Sequence, residues 1–397
     1  MFKLSFIRFF TLCLLAMVSL PAFAADKPFV HPGLLNTQQD FDRMKAMVAK
    51  RESPWIDDWK RLKGNPHADQ NWRPNPQSIV VRGSHGPHTE NYPSLYNDIA
   101  AAYANGLVWK VTGNTKAADK AVEILNAWSS TLVQITGTSD KYLAAGIYGY
   151  QMAITGEMMR DYPGWAPKDF QRFQGMMLGV FGAMNRDFLE KHNGAKIDHY
   201  WANWDLANIA SLLAVGVLTD RRDVYLAAIT YYLQGDGNGA IHHLVWKLYD
   251  NGLGQWQESG RDQGHTGLGI GLASVICQMA WNQGNDLFGA EDNRLLKGAE
   301  YAAKYNLGED VPYTPYTNSD VTQNIISAQG RGGDRPIWEL VYNHYVVLKG
   351  LKAPYVERYA KRVRPEGGGG DYGPNSGGFD QLGYGTLTFT LSPSTSK

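Results

Sequence analysis

The stretch YPSLYNDIAAAYANGLVWKVTGNTKAADKAVEILNAWSSTLV, Tyr92 to Val133, decides the architecture. Apolar residues recur at three- and four-residue spacing from Tyr92 to Val111 and again from Thr115 to Val133, the period of a helix buried along one side. Gly113-Asn114 breaks the pattern and Thr115 reopens it, a helix stop followed by a helix start. Two helices joined by so short a break pack as an antiparallel hairpin.

The same spacing recurs over Phe41 to Lys50, Tyr142 to Asp161, Pro167 to Leu189, Trp201 to Val217 and Asp223 to Leu233. It continues over His265 to Trp281, Asn293 to Tyr305, Pro336 to Leu348 and Tyr355 to Val363. Asp161-Tyr-Pro-Gly164 ends one helix before Pro167 opens the next. Strand signals are few: Gly383 to Leu391 (GYGTLTFTL) alternates, and Ser78 to Val81 is short. There is no βαβ rhythm and no sequence repeat. Hairpin after hairpin predicts an all-α chain, an (α/α) toroid of six or seven hairpins in a single domain, with minor strand content near the C-terminus. The irregular pieces at 64–90, 306–334 and 365–381 are of the length that functional loops take.

The chain opens with MFKLSFIRFFTLCLLAMVSLPAFAAD: a basic start, an apolar middle and a small-residue finish at Ala22-Phe23-Ala24. That pattern reads as a secretory signal peptide over 1–24, leaving 25–397 as the folded chain, exported to the periplasm or beyond. Cys13 leaves with it, and Cys277, set in the apolar run Leu268 to Met279, is then alone and reads as core. Basic and acidic residues number 38 each. With no basic excess and no Lys/Arg run, the chain is not a nucleic-acid binder, and no later apolar run spans a bilayer. The chain has 12 Trp and 22 Tyr, many for its length; part of that load is core, and aromatic-rich clefts also grip the apolar faces of sugar rings.

Ionisable groups crowd into Gly254-Gln-Trp-Gln-Glu-Ser-Gly-Arg-Asp-Gln-Gly-His265, directly before an apolar helix. Groups this dense are costly to bury unless each finds a partner. Glu258 and His265 lie two helical turns apart and read as a site; Arg261 and Asp262 can pair with each other as scaffold. A second cluster, His199-Tyr-Trp-Ala-Asn-Trp-Asp-Leu-Ala-Asn208, sets His199, Asn203 and Trp204 near one face of a helix start. Gln255, within the first cluster, is a further sugar-binding candidate.

Arg335 and Tyr342 stand seven apart in Arg331–Tyr345, where Pro336 suits a first helical position and Glu339 with Asn343 or His344 reads as a helix-face network. Tyr313 and Tyr316 are presented by the proline-stiffened loop Val311–Thr317, and His88 by the loop His85–Asn91. No set reads as a zinc site: HExxH and cysteine pairs are absent, and His242-His243 lack spaced partners. The Gly367–Gly370 run and Gly267-Leu-Gly-Ile-Gly271 lack the strand and helix that a nucleotide loop needs. No cofactor is expected.

These residue types suit β-elimination on an acidic polysaccharide. The proton at C5 lies α to the uronate carboxylate and is very weakly acidic while that carboxylate is charged. Asn, Arg or a protonated Glu neutralises it; a Tyr or His takes the proton; a Tyr returns one to the C4 oxygen.

Here the chain resembles the alginate-lyase-like polysaccharide lyases, with polysaccharide lyase family thirty-eight the nearest branch. The resemblance rests on His31-Pro-Gly-Leu-Leu35, WANWDLAN (Trp201–Asn208), QWQESGRDQGH (Gln255–His265), Ala280-Trp-Asn-Gln-Gly-Asn-Asp-Leu287 and Glu300-Tyr301. It runs from about His31 to the C-terminal GFDQLGYGTLTF. It implies an incomplete α/α toroid, and action on alginate or β-1,4-glucuronan. It carries Asn203, Glu258 and His265 over to the carboxylate-neutralising and catalytic wall, with Arg261 as a motif residue. In the more distant family five, an Asn-His pair is followed by an Arg and a Tyr seven apart; this chain has Glu258 and His265 at the later positions. The tyrosine must then come from elsewhere: Tyr316 first, then Tyr313, then Tyr342, with Arg331 or Arg335 as basic partner. Two other readings stand beside this one. One is a glycoside hydrolase using Glu258 with Asp262 or Asp205; the other is a non-catalytic carbohydrate-binding protein.

Overall fold

The computed structural model describes residues 27–372 and 379–391; the expected signal peptide and Cys13 lie outside them. Helices α1 (Gln38–Ala49), α2 (Trp55–Gly64), α3 (Pro93–Thr112), α4 (Thr115–Thr131) and α5 (Lys141–Met159) come first. Next are α6 (Pro167–Met176), α7 (Ala183–Lys191), α8 (Ala202–Leu218), α9 (Arg222–Gln234) and α10 (Ile241–Leu244). The last are α11 (Gln263–Asn282), α12 (Ala290–Asn306), α13 (Trp338–Tyr342), α14 (Pro354–Val363) and α15 (Gly385–Phe389). A π-turn, Met177–Gly182, joins α6 to α7.

The hairpin read from Tyr92–Val133 is α3 and α4. Gly113 takes the left-handed conformation (φ 74°) that closes α3, and the Asn114 side chain caps α4. Burial sorts the helices into two layers. From Tyr142 to Met159 every residue of α5 is buried, and α8 is nearly so. Helices α3, α5, α8 and α11 pack in succession as the inner layer. Helices α4, α9, α12 and α14 lie outside, packed on α3, α8, α11 and α12 in turn. A Cβ on Gly146 would come within 2.7 Å of the Ala207 backbone, so this glycine sets how closely α5 approaches α8. This is an α/α toroid.

Two motifs far apart in sequence lock together as scaffold. Gln283 bonds Val30 and Gly33, Asn282 donates to the Leu34 carbonyl, and His31 bridges Glu157 and Asp220.

Two expectations need correction, and one helix was not foreseen. Gly383–Leu391 is not a strand: it holds the short helix α15, pinned where the Asp58 carboxylate accepts the Leu387 N–H at 2.8 Å. Short strands do occur elsewhere. They are β1 (Ile79–Arg82), β2 (Gln134–Gly137), β3 (Val245–Leu248), β4 (Gly254–Trp256), β5 (Tyr316–Thr317) and β6 (Thr322–Gln323), paired two by two. Pro336 does not open a helix; α13 starts at Trp338, whose N–H and that of Glu339 are both taken by the Glu366 carboxylate. Helix α2 escaped the periodicity reading because it has only ten residues and carries charge in both its first and last turns. Among the described residues no helix is long and apolar enough to cross a membrane.

Candidate active site

Two helix starts meet at Glu258. The first N–H groups of a helix have no intrahelical acceptor and carry the positive end of its dipole. For α8 the N-cap position is Trp201, whose side chain gives no cap hydrogen bond. The acceptors come from another segment: the Gln257 amide oxygen takes the Ala202 N–H at 3.1 Å, and the Glu258 carboxylate takes the Asn203 N–H at 3.2 Å. For α11 the cap is its own Asp262, whose carboxylate accepts the His265 N–H at 2.7 Å. The β4 strand runs into the turn Gln257–Gly260 and places both acceptors.

Glu258 is fully buried. One oxygen accepts from the Asn203 side-chain amide at 2.5 Å and from Arg261 Nη1 at 2.9 Å. Burial pushes its carboxyl above the ordinary range, while Arg261, His265 and Asn203 pull it back. The Arg261 guanidinium lies 5.3 Å from the Trp201 ring centroid and is partly exposed. Its Nη2 has no hydrogen-bond partner among the described residues.

His265 is the most open member, with 40% of its side chain exposed. Its Nδ1 lies 2.6 Å from the second Asp262 oxygen. Burial works against the Asp262 charge, but the hydrogen bonds from His265 outweigh it and hold the carboxyl below its usual value.

Tyr316 joins through Gln257. With the amide oxygen of Gln257 fixed on Ala202, its nitrogen donates to the Tyr316 hydroxyl at 2.7 Å. The phenol oxygen therefore accepts, from Gln257 and also from the Asn318 side chain, and its own proton has no acceptor among the described residues. Trp246 and Trp201 flank the ring at 5.5 and 6.3 Å. Burial raises the phenol pKa, with the Gln257 and Asn318 hydrogen bonds opposing and the Asp198 and Glu258 charges adding. A close approach also shapes this corner: a Cβ on Gly260 would sit 2.2 Å from the Tyr313 hydroxyl.

The other candidates fall elsewhere. Gln255 is buried beneath the 311–317 loop, its amide spent on Thr314 and Tyr249, so it supports the loop and does not face a ligand. Tyr313 donates to the Gln323 carbonyl at 3.0 Å and braces the β5–β6 hairpin. His199 precedes α8, is exposed, and pairs with Asp320 at 2.7 Å on the rim. Trp204 turns the other way, packing on Tyr200 and Phe188.

Arg335 is buried against Asp380 at 3.1 Å, with Gly267 of α11 beside it. Asp380 in turn feels Arg335, Arg82 and His265, which offset the burial that raises its carboxyl. Arg331 is spent on the Tyr305 carbonyl. Tyr342 lies against Arg364, and His88 is exposed in its own loop; neither contacts the Glu258 cluster. Among the described residues no group of three or more His, Cys, Asp or Glu is arranged to hold a metal ion. Cys277 is core, its thiol pushed up to about 12 by burial.

Sequence reasoning missed Gln257 and Trp201, although both stand inside the quoted motifs, and it placed Asp262 as scaffold or, in the hydrolase reading, as a second carboxylate. Their signal was position: each lies within two residues of one already singled out.

A family model described as alginate lyase matches residues 43–311. No curated protein sequence matches the chain. Among solved structures, an alginate lyase from Bacteroides ovatus is 15% identical with a TM-score of 0.58, covering 91% of this chain and 100% of its own. Alginate lyase A1-III from Sphingomonas species A1 is 14% identical at a TM-score of 0.54, covering 93% and 99%. A histidine-to-alanine variant of alginate lyase A1-III, complexed with a tetrasaccharide, is 13% identical at 0.57, covering 93% and 98%. At such identities the likeness speaks for the fold.

Proposed function

The chain belongs to the alginate lyase family, and from that premise we propose that it cleaves a uronate polymer, polymannuronate or β-1,4-glucuronan, by β-elimination at the Glu258 cluster. The observation that carries the reading is one fully buried carboxylate, held by Asn203 and Arg261, with His265 on the same short segment and Tyr316 bonded to Gln257 of that segment. The substrate carboxylate docks against Arg261 Nη2 and the two helix starts. A second negative charge beside Glu258 raises its carboxyl further, so it takes up a proton and hydrogen-bonds the incoming carboxylate. With that charge neutralised, the C5 proton becomes removable. His265 Nε2 takes it. The C5–H electrons form the C4–C5 double bond, and the C4–O bond breaks. Tyr316, whose phenol proton is free, protonates the leaving oxygen.

Arg335 supports α11 through Asp380 and stays out of proton transfer. His199 lines the outer rim. The N-terminal 24 residues direct export, so the polymer is met outside the cytoplasm.

Two observations weigh against a hydrolase, whose carboxylates stand roughly 6.5–9.5 Å apart across the bond when it inverts. Asp205 is buried and spent on His192, Tyr231 and Gly239, and Asp262 is spent on His265. A carbohydrate-binding protein has no need of His265 and Tyr316 as proton groups. The test is ultraviolet absorbance of the unsaturated product on each polymer, with Tyr316→Phe alongside. A rise that Tyr316→Phe abolishes supports the proposal; no rise on any uronate polymer ends it.

A further inference from the structure

Capping alone does not explain Asp262. Asn, Ser and Asp cap helices about equally well, and one acceptor atom suffices. Here both carboxylate oxygens grip a single residue: one takes the His265 backbone N–H at 2.7 Å and the other faces Nδ1 of its ring at 2.6 Å. The Asp262 backbone itself is held. Its backbone N–H donates to the Glu258 carbonyl at 3.2 Å, and the next residue, Gln263, donates to the Gln329 carbonyl at 2.8 Å. Arg261 Nε stands 3.8 Å from the carboxylate. The ring of His265 is therefore fixed from one side by an acceptor that has no hydrogen to offer.

We infer that Asp262 is a positioning residue that selects the His265 tautomer able to take the substrate proton. An ionised carboxylate only accepts, so the ring hydrogen must sit on Nδ1, and the lone pair is then on Nε2, away from Asp262. The same carboxylate stabilises the imidazolium that forms once Nε2 has taken the C5 proton. The other charged groups acting around the ring are Glu258 from the preceding turn and Asp380 from the C-terminal segment, each already paired with an arginine. Neither makes a hydrogen bond to the ring, so the tautomer choice falls to Asp262 alone among the described residues. The inference rests on His265 acting as the base.

Asp262→Asn separates this role from capping. The amide oxygen still accepts the His265 N–H. The amide nitrogen, a donor, now faces Nδ1, which must accept, so the ring hydrogen moves to Nε2 and the base is lost. The full chain carrying Asp262→Asn should keep its Tm within about 2 °C and its KM within roughly threefold, while kcat falls roughly a hundredfold or more. Nitrogen-15 NMR of the His265 ring should show the hydrogen on Nδ1 in the parent and on Nε2 in the variant. Asp262→Ala, which also loses the cap, should lower Tm as well.

Turnover of Asp262→Asn within roughly threefold of the parent, a ring hydrogen that stays on Nδ1, or kcat losses that merely follow Tm in both variants would each overturn the inference. His265→Ala tells the two failures apart. If it is inactive while Asp262→Asn is fully active, only the positioning role falls. If His265→Ala is fully active, the assignment of the base falls and takes this inference with it.

Discussion

The chain buries carboxylates in two places, and they behave differently. At Glu258 the acid is matched by Asn203 and Arg261, and the cluster opens outward through Arg261 and His265. At the C-terminal seam Asp58, Glu339 and Glu366 are also buried, but no histidine is hydrogen-bonded beside them among the described residues. Glu339 is held by Arg364, Asn343 and Thr386; Glu366 takes two N–H groups of α13; Asp58 takes the N–H groups of Gly367 and Leu387. Burial, with the Glu339 charge next, pushes Glu366 well above the usual carboxylate range. A dense set of buried charges is thus no mark of a site. What marks one is a proton-transfer group left over after the internal partners among the described residues are counted: Nε2 of His265 and the proton of Tyr316.

The largest expected effect sharpens that contrast at the open cluster. Tyr316→Phe should lower kcat about a thousandfold with Tm unchanged, read by initial rates and calorimetry on the same sample. At the C-terminal seam the pattern inverts. Arg364→Met strands the buried Glu339 charge and should lose about 3 kcal/mol of stability in denaturant unfolding, while turnover per folded molecule stays as in the parent. An activity loss there without a stability loss would break the comparison.

A smaller effect is pH dependence of the scaffold. Burial raises the Asp58 carboxyl to about 6 and Glu300 to about 7, so both hold a proton in the folded chain at pH values where the unfolded chain has released it. Their contribution is present at low pH and is lost as pH rises from about 4 through 6 to 7. Glu300→Gln should therefore flatten the fall in Tm between pH 5 and pH 8, measured by calorimetry across buffers; an unchanged slope would contradict it. The smallest effect is at Tyr342, whose ring lies under Arg364 on the seam side. Tyr342→Phe should alter kcat less than about twofold, in contrast with Tyr316→Phe.

The toroid was legible because its layers are written in apolar spacing: the eleven helical segments read from the sequence all carry a helix. The C-terminal segment misled because GYGTLTFTL alternates as a strand does, and only the distant Asp58 carboxylate fixes it as a helix start. At the site, Glu258, Asn203, Arg261 and His265 were legible as neighbours in two short motifs. Gln255 and Gln257 were not separable in sequence, since two amides two residues apart look alike. The strand and the turn after it send one under the Thr314 loop and the other to Tyr316. Tyr313 and Tyr316 likewise differ only in where a hydroxyl finds its partner. Such long-range hydrogen bonds leave no trace in local periodicity.

The most direct test of the account is the product itself. Polymannuronate and β-1,4-glucuronan, incubated with the full chain, should yield oligosaccharides with an unsaturated non-reducing end, absorbing in the ultraviolet, one for each new reducing end. New reducing ends without that chromophore would mean hydrolysis and would contradict the elimination assigned to Glu258, His265 and Tyr316.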